Sequence, residues 1–234
     1  MIVKKEIFVI VILSITLTHI GAQSPLKEVK REIEALNNNS KNKISYQHLH
    51  TLITDHYTSF TKDERKEIRA RLKESAPDGS AIICSANERG TKIKIKGTVT
   101  DQSSTPIQNV NLYIFQTDAM GYYTPYDSIN KSMGENDPRL FAFLKTDAAG
   151  NFEFTTVRPA SYPTKYKDSY VPQHIHINTS TQGFKDRLIQ VVFEDDPAMN
   201  AKWVEWAKNL DFPVLKLEYN KAPPSGVLKI ILSK

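Results

Sequence analysis

A single cysteine, Cys84, stands among the 234 residues of this chain. An intrachain disulfide is therefore excluded, as is a metal site built from several thiolates. No cysteine follows the apolar run near the N-terminus closely enough to suggest a lipid anchor. That run, Ile7 to Leu17, is also shorter than the roughly 20 residues needed to span a bilayer. Charge is not clustered by sign. The 31 basic and 26 acidic residues give a formal +5, and the excess is spread along the chain. In Lys92-Ile93-Lys94-Ile95-Lys96 the lysines alternate with isoleucines, as on a strand with one solvated face. Nucleic-acid binding is not expected from this pattern.

Lys4 and Lys5 precede the apolar run and Gly21-Ala22 follows it, so residues 1–22 read as a signal peptide. A secreted or periplasmic mature chain, with no stable membrane span after cleavage, is the expectation. Leu26, Val29, Ile33 and Leu36 recur at helical spacing until Asn37-Asn38-Asn39-Ser40 interrupts them. Leu49, Leu52 and Ile53 suggest a second helix, and Thr61 with Glu64 a capping box that opens a third, carrying Ile68 and Leu72. Residues 25–76 are thus expected to be helical. His48, His50 and His56 lie there, but a helical metal pair needs histidines four apart, and Leu52 and Thr54 occupy those positions after His48 and His50.

Pro77-Asp78-Gly79 marks a boundary. Beyond it, β-like runs recur at Ile93–Val99, Val110–Gln116, Leu140–Thr146, Phe152–Val157, His174–Asn178, Leu188–Phe193, Leu215–Tyr219 and Val227–Leu232. The fold class is therefore mainly β: an antiparallel β-sandwich over residues 77–234, preceded by the helical segment. Trp203 and Trp206 read as packing residues of a short helix near Ala198–Lys208.

The chemistry concentrates between Tyr162 and Ile177. On a strand, His174 and His176 point to one face while Ile175 and Ile177 point to the other. Imidazole nitrogen suits iron, copper, zinc or nickel, and phenolate oxygen suits a hard trivalent cation, so fitting tyrosines would narrow the choice to Fe(III). Tyr123 and Tyr162 are the candidates. Tyr122 competes with Tyr123, and Tyr166 and Tyr170 with Tyr162, although only Tyr162 lies within Pro159-Ala160-Ser161-Tyr162-Pro163.

Gly97-Thr98-Val99, Pro106-Ile107, the run from Phe115 to Tyr123, Thr146-Asp147-Ala148-Ala149-Gly150, Arg158 to Pro163, Pro172 to His176 and Gln190-Val191-Val192-Phe193 follow in order. Together they resemble the catalytic domain of the intradiol ring-cleavage dioxygenases, which include protocatechuate 3,4-dioxygenase and catechol 1,2-dioxygenase. The resemblance spans roughly residues 91 to 197. It implies a ferric ion held by Tyr123, Tyr162, His174 and His176, a small aromatic diol and dioxygen as substrates, and a muconate-type product. It further implies that Tyr162 acts as both ligand and base, and that Gln190 lines the pocket beside the substrate. One position departs from the pattern: Val171 stands where the family carries arginine, three residues before the first histidine. Arg158, Lys165 and Lys167 are the neighbouring cations that could stand in. A non-catalytic extracellular β-sandwich that retains a metal site is the competing expectation. The helical segment takes the place of the family's helical dimerisation region without a specific match, leaving both a homo-oligomer and a packed lid open.

Overall fold

The computed structural model describes residues 24–38, 43–125, 136–164 and 169–234. The expected signal peptide lies outside these residues, as do Lys165, Tyr166 and Lys167. Three helices come first: α1 (Pro25–Asn38), α2 (Lys43–Asp55) and α3 (Lys62–Glu74), with one 3₁₀ turn at Tyr57–Ser59. The capping box forms as its sequence expects. The Glu64 carboxylate accepts from the Thr61 backbone N–H at 2.7 Å, and the Thr61 hydroxyl accepts from the Glu64 N–H. Asp63 and Glu64 in the first turn and Arg71 and Lys73 in the last complement the helix dipole. Val29, Ile33, Leu49, Ile53, Ile68 and Leu72 are buried in the same hydrophobic cluster as the sandwich core. No helix among the described residues is long and apolar enough to cross a membrane.

Two sheets form the sandwich. The first holds β1 (Ser80–Ile82), β5 (Asn151–Val157), β2 (Lys92–Asp101) and β11 (Ser225–Leu232), in that spatial order. The second holds β10 (Val214–Leu215), β9 (Arg187–Phe193), β8 (His174–Ser180), β3 (Asn111–Gln116) and β4 (Leu140–Lys145). A separate two-stranded ladder pairs β6 (Tyr162–Pro163) with β7 (Tyr170–Val171). Helix α4 (Ala201–Asn209) is capped by the Asn200 side chain and carries Trp203 and Trp206, whose rings meet edge to face at 5.2 Å.

Alternation decides which side chains enter the core. Ile93, Ile95 and Val99 of β2 are buried, while Lys94 and Lys96 point outward and both pair with Glu153. Gly97 occupies an inward position because its Cβ would lie 2.2 Å from a ring carbon of Phe152. Gln116 is fully buried, yet its amide donates to the Val157 carbonyl at 2.7 Å and accepts from the Thr156 hydroxyl at 3.0 Å. The buried polar group is thereby satisfied.

The antiparallel description needs correction. β1 runs parallel to β5, β11 to β2 and β10 to β9, whereas the other pairings are antiparallel. Strands joined by tight hairpins must be antiparallel, but these partners are reached by longer crossovers, which permit a parallel approach. The Leu215–Tyr219 run shortens to the two residues of β10 and an isolated bridge at Glu218.

Candidate metal centre

His174 and His176 project from β8 opposite Ile175 and Ile177, away from the sandwich interior, yet their residues are only 4% and 6% exposed. Two loops bury them. The turn after β3 brings Tyr123, itself 1% exposed, over the histidines. The segment after β5 brings Tyr162, whose ring centroid lies 6.1 Å from that of Tyr123 and 5.8 Å from that of His174. The loops also touch each other. Thr117 donates its hydroxyl to the Ala160 carbonyl at 3.2 Å, and the Ala160 N–H donates to the Asp118 carbonyl at 3.0 Å. Gly121 allows this approach: its φ is +87°, and a Cβ there would lie 3.3 Å from Cβ of Tyr162.

Three donor atoms converge. Tyr123 Oη lies 2.8 Å from His176 Nε2 and 3.2 Å from His174 Nε2, and the two nitrogens are 3.0 Å apart. His174 Nδ1 faces the Pro172 carbonyl at 2.7 Å. Since a carbonyl only accepts, Nδ1 carries the proton and Nε2 of the neutral ring presents a lone pair. Burial lowers the pKa of both imidazoles, that of His176 to about 3, so both rings are neutral near pH 7. The triangle then has three short edges but at most two protons to fill them, one from the phenol and one from His176. A cation bound by the three atoms would resolve the shortfall. Bonds of about 2.0–2.1 Å to imidazole nitrogen are compatible with donors this far apart. Two imidazoles with phenolate oxygen suit a hard, redox-capable cation such as Fe(III). Among the described residues no three His, Cys, Asp or Glu side chains cluster to hold a metal, so the donor set here depends on tyrosine.

Neighbouring residues fix the donors. Phe115, directly across from His176 on β3, stacks on the imidazole at 4.4 Å with an interplanar angle of 1°. Gln190 is its cross-strand partner on β9, placing the glutamine beside His176 on the same sheet face. The Asp118 carboxylate accepts from the Met120 and Tyr122 backbone N–H groups at 2.9 and 3.0 Å, shaping the turn before Tyr123. The stacked phenylalanine and the Pro172 carbonyl were not identifiable beforehand, because strand register and loop closure bring them to the histidines.

The competing tyrosines separate. Among the described residues no ring contact joins Tyr122 to the histidines, whereas Tyr123 meets His176 with ring centroids 6.0 Å apart. Tyr170 is 51% exposed and pairs with Pro163, and Tyr166 lies outside the described residues. Val171 sits directly across the β6–β7 ladder from Tyr162, so the departing position does adjoin the site. Arg158, the neighbouring cation within the described residues, is engaged by other partners. Its guanidinium forms a two-pronged pair with Asp195 at 2.7 and 3.0 Å, and its Nε donates to Gln173 at 2.6 Å. That positive charge is already neutralised.

The sequence profile of a family described as Dioxygenase matches residues 72–227, more than half of the chain. The protocatechuate 3,4-dioxygenase beta chain of Burkholderia cepacia is 29% identical over 114 residues, covering 47% of this chain and 48% of the relative. The chlorocatechol 1,2-dioxygenase of Rhodococcus opacus is 28% identical over 166 residues, covering 63% of each. The chain spans about half the length of several curated relatives it matches. The solved 3-chlorocatechol 1,2-dioxygenase of Rhodococcus opacus 1CP superposes with a TM-score of 0.52 at 19% identity, over 89% of this chain and 96% of that one, a likeness of fold. With the profile match running from the end of α3 into β11 and across both histidines, the chain belongs to the intradiol ring-cleavage dioxygenase family.

Proposed function

We propose that the protein binds Fe(III) through Tyr123, Tyr162, His174 and His176 and cleaves a catechol-type aromatic between its two hydroxylated carbons. The observation that carries this reading is the 2.8–3.2 Å convergence of Tyr123 Oη with the two histidine Nε2 atoms. When bound, a ferric ion supplies Lewis acidity toward the two oxygens of the substrate. The reaction balances without an external reductant. The bond between the hydroxylated carbons breaks, each of them gains one atom of dioxygen, and the diol becomes an open-chain dicarboxylic acid.

The chain's own residues divide the remaining work. The Pro172 carbonyl holds the His174 tautomer, and the Phe115 ring limits rotation of His176. Tyr162, as a phenolate, would receive a catechol proton. It sits on a ladder of only two residues, so little backbone pairing opposes its displacement. Gln190, next to His176 across the β8–β9 pair, offers an amide for orienting substrate. Burial of Tyr123, His174 and His176 excludes bulk water and strengthens electrostatic interactions within the site.

Secretion or periplasmic location, resting on residues 1–22, belongs to the same proposal and is checked by mass spectrometry of the native mature N-terminus. An intact Met1 on cytoplasmic protein would refute that part. A binding module that keeps iron without efficient turnover is the second reading, favoured by Val171 opposite Tyr162 and by the neutralised Arg158. Iron analysis, a visible spectrum and oxygen uptake with catechol, protocatechuate and hydroxyquinol decide among these. About one Fe(III) per chain, a tyrosinate-to-iron absorption band and a ring-opened dicarboxylate support the enzyme. A coloured protein without oxygen uptake supports the module. A protein that remains colourless and iron-free after reconstitution refutes the ferric site.

A further inference from the structure

Three side chains of the helical layer converge on one residue of the segment that leads from Tyr123 back into β4. Tyr57, in the turn after α2, donates its hydroxyl to the Asp137 carbonyl at 2.7 Å. Arg65 and Arg69, one turn apart on α3, both pair with the Asp137 carboxylate, Arg65 through Nε and Nη2 at 2.8 Å. The three charged side chains are only 12–16% exposed, unlike the solvated surface pairs that contribute little. Desolvation pushes the Asp137 carboxyl up, but the two guanidiniums outweigh it and the net shift is downward. Removing the carboxylate would leave two largely buried cations facing each other.

Asp137 lies two residues before Arg139, and the Arg139 backbone N–H donates to the Tyr123 carbonyl at 2.8 Å. The Arg139 guanidinium grips Glu88 with two bonds of 2.7 Å and reaches Asp118 at 3.6 Å. Tyr123 is thus held from two sides, by Asp118 in the turn before it and by Arg139 in the returning chain. The second support is tied through Asp137 to α3, whose own position is set by buried Ile68 and Leu72 and by Arg69 lying 5.8 Å over the Phe141 ring of β4. A site supported by packed helices holds its geometry more closely than one carried by a loop alone.

We propose that the N-terminal helical layer is a positioning element of the metal centre, acting through Asp137 to hold Tyr123 against His174 and His176. The inference rests on the ferric reading of that centre, but the clamp on the loop can be measured without metal. Asp137 is a positioning residue, since it acts through Arg139 and the Tyr123 backbone.

The test uses the full chain as wild type, Asp137→Asn, Asp137→Glu and Thr61→Ala. In metal-free protein, Asp137→Asn should speed amide hydrogen exchange in peptides covering residues 117–125. In iron-loaded protein it should weaken iron binding about 10- to 100-fold, as loss of groups supporting a metal ligand commonly does. It should also shift the tyrosinate-to-iron band. Asp137→Glu, which keeps the charge, should recover part of each effect. Thr61→Ala removes the cap of the same helix without touching Asp137, so it should lower the unfolding midpoint and leave loop exchange and the band unmoved. Wild-type exchange at 117–125 in Asp137→Asn overturns the proposal, as does wild-type iron affinity with an unchanged band. Absence of iron binding in the wild type refutes the ferric reading instead, and the exchange comparison still decides whether Asp137 holds the loop. If Asp137→Asn does not fold, Arg69→Gln, which leaves the Arg65 pair in place, carries the same measurements.

Discussion

Tyr123→Phe removes one oxygen from a side chain that is 1% exposed and leaves its ring in place. The contacts with Phe115, Tyr162 and His176, at centroid distances of 6.3, 6.1 and 6.0 Å, need not change. In the metal-free protein the substitution deletes the hydroxyl contacts to His176 and His174 at 2.8 and 3.2 Å. At about 0.5–1.5 kcal/mol for each hydrogen bond, the loss is at most about 3 kcal/mol. A domain of ordinary stability, about 5–15 kcal/mol, survives that. Iron binding should suffer more. A hard cation loses one of its two anionic oxygens and keeps Tyr162 with two neutral nitrogens, so the affinity should fall by about 100-fold, or about 2.7 kcal/mol. Thermal unfolding and iron titration therefore separate the two roles: a modest fall in Tm, a large fall in affinity and a displaced visible band are expected. Tyr122→Phe is the matched control and should change neither measurement. Wild-type iron affinity and spectrum in Tyr123→Phe would refute the assignment of Tyr123 as a donor.

Gly97→Ala would press a methyl group to within 2.2–2.9 Å of the buried Phe152 ring, which lies parallel to the Phe154 ring. Denaturant unfolding should show a loss of about 1–3 kcal/mol, and Phe152→Leu in the same chain should restore part of it. Burial lowers the His50 imidazole to about 3, only partly opposed by its backbone hydrogen bond with Ile83. Its folded pKa is thus below the unfolded value of about 6.5, so the neutral-state stability is fully present above that pH. As pH falls from about 6.5 toward 3, the unfolded chain binds the extra proton and stability drops by up to about 1.4 kcal/mol per pH unit. His50→Leu should lose the Ile83 bond at every pH but flatten this slope in urea unfolding; an unchanged slope would exclude His50 as the source. Val171→Arg, across the ladder from Tyr162, should raise turnover by about 10²–10³-fold if charge at that position stabilises the reacting substrate. Gln190→Ala should lower it. Oxygen uptake measures both, and an unresponsive Val171→Arg would show that the missing cation does not limit the rate.

What could be read before folding was local or periodic. The Thr61–Glu64 capping box joins residues three apart, and its geometry follows from one turn of helix. The same-face placement of His174 and His176 follows from strand alternation. The alternation of Ile93 and Ile95 with Lys94 and Lys96 likewise orients β2 before any partner strand is known. Tyr123 was legible only through its motif context, because spacing along the chain could not rank it above Tyr122.

Tertiary structure decided what depends on contacts between distant segments. Tyr123 meets His174 across 51 residues of sequence and His176 across 53, so their 3.2 and 2.8 Å separations depend on how two loops close over one sheet face. Phe115 reaches His176 through strand register, Val171 reaches Tyr162 through a two-residue ladder, and Arg158 is neutralised by Asp195, 37 residues away. The parallel pairing of β11 with β2 likewise emerges only when the chain's end returns beside β2. The sequence by itself determined the candidate donor types and the face of the histidine strand, since bond geometry and alternation act over a few residues. The folded chain determined the distances among those donors and the side chains that hold them, since both arise from packing between segments far apart in sequence.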